Sequence, residues 1–196
     1  MNPRAPDSSP RLPDFIVFGV EKAGTTSLYE WLRTHPGVFM PRVKEPKYFT
    51  HAGSGDAPPD VITTWEAYRA LFQDAPAGVK LGEASPQYIH FPGAADRIHD
   101  KLPHVNLLGL LRNPADRAYS HYRMVAASGA VKDRDYDRAI EQAVMSWNGE
   151  VDALPYGLGL KTGFVGRGLE RYFACFPRAQ IRIHRFEDLV RDPEKV

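Results

Sequence analysis

The fold is decided by residues 15–28, which read FIVFGVEKAGTTSL. The first six of these residues form a run that is apolar apart from one glycine, which is typical of a strand buried on both faces of a parallel sheet. The next apolar residues, Leu28, Trp31 and Leu32, have the i, i+3, i+4 spacing of a helix. We therefore predict a strand, a short loop, and a helix that begins near Gly24 and ends before the next proline.

The order of strand, then helix, recurs along the chain. We predict further strands at residues 79–83, 105–111 and 180–184, and helices at 94–101, 114–127, 136–147 and 164–176. The helix at 136–147 would carry Ile140, Val144 and Trp147 on one face. Residues 51–62 and 148–162 are rich in Gly, Pro, Asp and Ala and are predicted as loops. This alternation predicts an α/β, P-loop-like three-layer fold with a central parallel sheet flanked by helices.

Length and composition restrict the function. The 196 residues suit one domain, which we place at 14–196 after a disordered lead at 1–13. Lys and Arg number 25 against 24 Asp and Glu, so no overall field favours nucleic acid as a partner. No apolar stretch reaches the roughly 20 residues of a transmembrane helix. The single cysteine, Cys175, excludes an internal disulfide and fits a reducing compartment, so we expect a cytoplasmic protein.

The loop at residues 19–27 has the features of an anion site. A helix that starts directly after a strand offers unpaired N–H groups and the positive end of its dipole. Gly19 and Gly24 permit close approach of the backbone, and Lys22 adds a charge. The nucleotide triphosphatase loop reads G-x-x-x-x-G-K-[ST], but Thr25 stands here in place of its lysine. This difference favours a phosphate-type donor that is handled without a metal.

Residues 18–28 resemble the 5′-phosphosulfate loop of sulfotransferases that use 3′-phosphoadenosine 5′-phosphosulfate (PAPS). The resemblance is closest to the carbohydrate branch, with the heparan sulfate sulfotransferases and their bacterial relatives. It implies that the loop binds the 5′ phosphosulfate of PAPS through Lys22, Ala23, Gly24, Thr25, Thr26 and Ser27. It also implies that Lys22 stabilises the charge that grows on the leaving phosphate.

A second candidate anion site lies at residues 110–122, LLRNPADRAYSHY. Arg112 follows a predicted buried strand, at the end where ligands bind in open α/β sheets. Asn113 is a suitable N-cap for the helix that follows. The block resembles the family's 3′-phosphate motif, which implies that Arg112 and Ser120 hold the 3′ phosphate of PAPS. An ion pair between Arg112 and Asp116 is the other interpretation.

The acceptor side is predicted at residues 43–49, VKEPKYF, an extended segment with an acid between two lysines. It resembles the family's acceptor motif, in which the glutamate is the proposed base, and so assigns that role to Glu45. His51 is the alternative base, because imidazole titrates near neutral pH. A surface ion pair is the alternative role of Glu45.

The segment at residues 82–88, GEASPQY, also matches a family segment that lines the site. Several heparan sulfate members have lysine where this chain has Ala84, which weakens heparan sulfate as the acceptor. Glu83 either orients the acceptor or Lys22, or forms a structural hydrogen bond. The family's late glycine- and lysine-rich loop is absent, so we expect a C-terminal piece to be missing.

Together these features predict sulfuryl transfer from PAPS to a hydroxyl or amine, without a metal. The acceptor would be a carbohydrate or a glycosylated small molecule. The alternatives are a P-loop-type nucleotide kinase and a PAPS-binding module without catalysis. The sequence does not indicate an oligomeric state.

Overall fold

A computed structural model of the chain describes residues 11–53, 55–131 and 135–192. Within these ranges, five strands form one parallel sheet in the order β2-β3-β1-β4-β5. The strands are β1 (Phe15–Gly19), β2 (Val38–Phe39), β3 (Lys80–Ala84), β4 (Asn106–Leu111) and β5 (Ile181–Arg185). The predicted α/β fold with a central parallel sheet flanked by helices is confirmed.

Eight α-helices lie in the same ranges. They are α1 (Thr25–Thr34), α2 (Tyr48–His51), α3 (Trp65–Ala70), α4 (Ala94–Lys101), α5 (Pro114–Ala127), α6 (Tyr136–Met145), α7 (Val165–Cys175) and α8 (Phe186–Arg191). The predicted helices match α1 and α4 to α7 with ends within two residues. The short elements β2, α2, α3 and α8 were not predicted. None of the helices in the described part of the chain is long and apolar enough to cross a membrane.

The central strand β1 pairs with a neighbouring strand along each edge, and its last four residues are buried. It pairs with β3 through Phe15 and Gly82, and with β4 through Phe15 and Asn106. Phe18 on β1 packs on Tyr172 of α7 with ring centroids 4.4 Å apart. The apolar run that predicted this strand therefore forms the middle of the hydrophobic core.

The strand order places a crevice at the carboxyl end of β1. The chain builds β2 and β3 on one side of β1 and then β4 and β5 on the other. Ligands of open α/β sheets bind where the strand order reverses in this way. The segments that follow β1 and β4 meet there and carry the predicted donor-binding residues, and the segment after β2 adds Glu45.

The second predicted loop contains short helical turns, and only the end of the predicted lead lies among the described residues. Residues 148–162 contain single turns of 3₁₀ helix, at Val151–Ala153, Tyr156–Leu158 and the start of Lys161–Gly163, but no strand. The predicted lead lies outside the described residues as far as residue 10. Arg11 donates a hydrogen bond to the Pro76 carbonyl at 2.6 Å, so the described part of the lead contacts the domain.

Candidate active site

The loop after β1 is held in a tight turn by its backbone. Val20 N–H donates to the Leu110 carbonyl of β4 at 2.9 Å, which fixes the start of the loop. Lys22 and Gly24 then adopt positive φ angles of 68° and 84°. A Cβ added at Gly24 would lie 2.7 Å from the ring of Phe186, so only glycine fits. Helix α1 begins at the next residue and points its unpaired N–H groups into the crevice.

The two predicted anion sites lie side by side. Nη1 of Arg112 donates to the backbone carbonyl of Lys22 at 3.1 Å. The Arg112 guanidinium lies 4.6 Å from the centroid of the Phe186 ring, and its Nε is buried with no hydrogen-bond partner in the described part of the chain. Nζ of Lys22 contacts the Met124 sulfur at 3.5 Å. Within the described ranges neither cation forms an ion pair, so the predicted alternative pairing of Arg112 with Asp116 is not observed.

Two cavities flank this cationic pair. One, of about 530 Å³, we call the donor cavity. Its lining includes the predicted residues Lys22, Gly24, Thr25, Thr26, Glu45, Arg112 and Ser120. The other, of about 370 Å³, shares Lys22, Arg112 and Ser120 with the donor cavity and adds Tyr119 and Arg123.

Two predicted donor-binding residues lie outside this lining. Ala23 is buried in the hydrophobic core, and Ser27 is exposed on α1. The helical period explains Ser27, because successive residues point in directions about 100° apart. Their side chains therefore do not reach the donor cavity.

Glu45 enters the donor cavity from a segment that is not extended as predicted. Glu45 and Lys47 have φ angles of 57° and 54°, and α2 begins directly after them. A hydrogen bond from Glu45 N–H to the Ala84 carbonyl, at 3.0 Å, overrides the preference of a residue before proline.

The carboxylate of Glu45 accepts hydrogen bonds from Lys44 and, at 2.7 Å, from Nε2 of Gln87. Burial raises the pKa of Glu45, but these two hydrogen bonds and the charges of Lys44 and Lys47 outweigh burial and hold the pKa below its ordinary value. Glu45 is therefore ionised at neutral pH. The ion pair with Lys44 shows that both interpretations of Glu45, the base and the ion-pair partner, are compatible with its position.

His51 lies in a different cavity, of about 690 Å³, which we call the acceptor cleft. Its Nδ1 is 2.6 Å from Oγ1 of Thr50, and its ring packs on Phe91. The acceptor cleft shares Glu21 and Gln87 with the donor cavity, so the two are neighbours. His51 does not line the donor cavity.

Comparison with known proteins shows the family of the chain. The family model described as "Sulfotransferase domain" matches residues 12–196. The chain belongs to the sulfotransferase family. It is 31% identical over 197 residues to the bifunctional heparan sulfate N-deacetylase/N-sulfotransferase 3 of Homo sapiens, covering 95% of this chain and 21% of that protein. It is 28% identical over 191 residues to the heparan sulfate glucosamine 3-O-sulfotransferase 6 of Mus musculus, covering 93% of this chain and 49% of that protein.

A solved structure of this sulfotransferase family has the same fold. The crystal structure of a sulfotransferase from Alicyclobacillus acidocaldarius superposes with a TM-score of 0.78 at 28% identity, covering 94% of this chain and 77% of that one. The chain thus spans between a fifth and a half of the two curated relatives and most of the bacterial structure. The family membership favours sulfate transfer over the nucleotide kinase alternative.

The structure of this sulfotransferase adds site residues that the sequence did not indicate. Glu21 lines both the donor cavity and the acceptor cleft. Burial, followed by the charge of Glu45, raises its pKa, although Arg117, Lys47 and Lys22 act in the opposite direction. Phe186 contacts both Gly24 and Arg112. The sequence could have indicated Glu21 as a site residue, because it is adjacent to Lys22. It could not have indicated Phe186, because the contacts of Phe186 form only when the strands of the sheet come together.

Glu83 has the structural role that the sequence left open. Its side chain is 1% exposed and accepts hydrogen bonds from Ser85 Oγ at 3.0 Å and Tyr68 OH at 3.5 Å. Ser85 Oγ also accepts from the backbone N–H of Lys47 at 3.2 Å. Burial raises the pKa of Glu83 to about 8. Glu83 therefore anchors the segment that carries Glu45, and it contacts neither cavity.

Proposed function

We propose that this chain transfers a sulfuryl group from PAPS to a hydroxyl or amine of a carbohydrate or glycosylated small molecule. The observation that carries the proposal is the pair Lys22 and Arg112. It lies at the carboxyl ends of two neighbouring strands and faces two adjoining cavities. One nucleotide with phosphates at its 5′ and 3′ positions can reach both cations.

The loop after β1 binds the 5′ end of the donor. The N-terminus of α1 supplies N–H groups and a dipole, Thr25 and Thr26 supply hydroxyl groups, and Lys22 supplies a charge. Gly24 keeps the loop open to close approach.

Arg112 and Ser120 bind the 3′ phosphate. The buried Nε of Arg112, which has no partner among the described residues, is a donor that a phosphate oxygen satisfies. The Phe186 ring makes a cation–π contact with the guanidinium at 4.6 Å, which favours the position that Arg112 has here. Recognition of the 3′ phosphate is what separates PAPS from other adenine nucleotides.

Glu45 is proposed as the base and Lys22 as the group that stabilises the leaving phosphate. The acceptor oxygen or nitrogen forms a bond to sulfur, its proton passes to Glu45, and the bond from sulfur to the 5′-phosphate oxygen breaks. Glu45 fits the role because it lines the donor cavity and is ionised at neutral pH. His51, the alternative base, lies in the acceptor cleft only.

The acceptor cleft is suited to a polar acceptor. Arg167 and Arg171 line it together with His51, and they form no ion pair within the described ranges. The two curated relatives act on heparan sulfate according to their names. Because this chain has Ala84 where several heparan sulfate members of the family have lysine, we propose a smaller glycan or a glycosylated molecule rather than heparan sulfate.

Calorimetric titration with 3′-phosphoadenosine 5′-phosphate (PAP) tests the donor site. Each charge-assisted hydrogen bond contributes about 1.5–3 kcal/mol, so Lys22→Ala and Arg112→Ala should each weaken PAP about 10-fold to 150-fold. Arg33→Ala, which removes an exposed arginine paired with Glu30, is the control and should bind PAP normally.

Adenosine 5′-phosphate separates the two phosphate sites. It should bind more weakly than PAP to the wild type, and Arg112→Ala should remove most of that difference. Equal affinity of the wild type for both nucleotides would contradict the assignment of Arg112 and Ser120. Transfer of labelled sulfate from PAPS to an acceptor panel then distinguishes an enzyme from a module that only binds the donor.

A further inference from the structure

A fourth cavity, of about 760 Å³, lies between α5, α6 and residues 154–164, and we call it the apolar groove. Its floor is formed by side chains that the sequence placed on one helical face, Ile140, Val144 and Trp147. Val144 is 57% exposed, and Trp147 and Phe164 are each 40% exposed. Clustered exposed apolar side chains mark binding surfaces in proteins that are otherwise polar outside.

The apolar groove adjoins the acceptor cleft. Leu154 and Phe164 line both of them. At its other end the acceptor cleft meets the donor cavity at Glu21 and Gln87. The three cavities are therefore neighbours in series: the donor cavity that holds Glu45, then the acceptor cleft, then the apolar groove.

Charges around the apolar groove restrict what can occupy it. Asp137 and Glu141 lie in its lining and disfavour an anionic occupant. Among the described residues of the lining, Arg117 is the one cation; it is buried and donates to Thr162 Oγ1 at 2.8 Å and to the Gly159 carbonyl, while its Nε has no partner. Two acidic groups against one buried arginine give this lining no excess of positive charge.

We propose that the apolar groove is a subsite for an uncharged alkyl or aryl group attached to the acceptor, so that the enzyme sulfates amphiphilic molecules with a polar, sugar-like part. This inference rests on the proposed function, because it names the acceptor class of the same site. The volume of about 760 Å³ lies within the roughly 300–1,000 Å³ of small-molecule pockets. The apolar groove holds the alkyl or aryl group, and the acceptor cleft holds the polar part so that its hydroxyl faces Glu45.

A matched pair of probes tests the subsite: n-octyl β-D-glucoside and methyl β-D-glucoside, with the octyl compound kept below its micelle concentration. Each buried methylene lowers a dissociation constant about fourfold, so burial of only two gives more than tenfold. We expect the octyl glucoside to bind at least tenfold more tightly than the methyl glucoside. Tryptophan fluorescence measures the binding of both compounds. Trp147→Phe should remove most of the signal, although two other tryptophans remain.

Two neighbouring substitutions on α6 supply the control. Val144→Asp places a charge in the apolar groove and should abolish the tenfold preference. Met145→Asp adds the same charge one residue later, at a side chain that is 87% exposed and outside the lining, and should leave the preference intact. Because both changes lie in the last turn of α6, they carry similar costs to the helix.

The other outcomes contradict the inference in distinguishable ways. Equal binding of the two glucosides overturns the subsite, while normal PAP binding in the same preparation leaves the proposed function standing. If PAP does not bind, the proposed function fails instead. If Val144→Asp dissociates a dimer in sedimentation velocity and no octyl preference exists, the groove is covered by a second copy of the chain and the subsite is rejected.

Discussion

Replacement of Glu83 by glutamine should make the stability of this protein less dependent on pH. Glu83 is buried on β3, and its partner Ser85 also accepts a hydrogen bond from the Lys47 backbone. Burial raises the pKa of Glu83 to about 8, against the lowering effect of hydrogen bonds from Ser85, Tyr88 and Tyr68. The side chain therefore keeps its proton in the folded state, and glutamine imitates that protonated form.

The sign and size of the effect follow from the two pKa values. In the unfolded chain the Glu83 carboxyl titrates near 4.5, so between pH 4.5 and about 8 the folded state binds the extra proton. The free energy of unfolding then falls as pH rises through that window. The free energy of unfolding falls by about 1.36 kcal/mol for each pH unit in this window, which gives roughly 5 kcal/mol at most over the whole window. We expect the measured decrease to be at least about half of that value.

Urea denaturation at pH 5 and pH 8.5 measures this effect. Wild type and Glu83→Gln should have similar stability at pH 5, and the variant should be more stable by at least about 2 kcal/mol at pH 8.5. Glu170→Gln, a change at an exposed position of α7, should not alter the pH dependence. A constant difference between wild type and Glu83→Gln at both pH values would refute the reasoning.

Three further predictions concern the site. Glu45→Gln should lower sulfate transfer by about 10²–10⁴ while PAP affinity stays the same, and a larger loss in His51→Gln would reassign the base. Because burial raises the pKa of Glu21 beside Lys22 above the ordinary 4.5, wild-type PAP binding should weaken as rising pH removes the Glu21 proton. Calorimetry of Glu21→Gln should show a smaller change, and an identical pH profile would disprove the interaction. Gly24→Ala should reduce PAP affinity at least about tenfold, since its φ of 84° is strained for alanine and its Cβ would meet the Phe186 ring. Gly53→Ala, with a φ of 73° and open space around it, bears a similar backbone cost and should bind PAP normally.

The longer elements of the fold could be predicted because their signals are local. The apolar runs of β1 and β4 identify buried strands without knowledge of their partners. Helix α5 begins as predicted because Asn113 Oδ1 accepts hydrogen bonds from the N–H groups of Ala115 and Asp116, an interaction within four residues.

The short elements depend on partners that are distant in the chain. Strand β2 has two residues, and it exists because Val38 and Phe39 pair with β3 about 40 residues later. The left-handed backbone of Glu45 likewise depends on the Ala84 carbonyl. Neither contact can be inferred from the neighbouring sequence. The extended conformation predicted for Glu45 was wrong for this reason.

The candidate site was predictable to the extent that its motifs follow strands. Lys22 and Arg112 each come directly after a buried strand, and parallel strands bring their carboxyl ends to one edge. The sequence could not place Phe186 between Gly24 and Arg112, because that contact joins the ends of β1, β4 and β5. The sequence also could not show that Glu21 lines both the donor cavity and the acceptor cleft, because the other lining residues of these cavities come from separate loops.

A crystal structure of the chain with bound PAP tests the central claim most directly. The account predicts the 5′ phosphate in the loop beside Lys22 and Thr26, and the 3′ phosphate within hydrogen-bond distance of Arg112 and Ser120. A nucleotide seated elsewhere, or one whose 3′ phosphate lies away from Arg112, would contradict it.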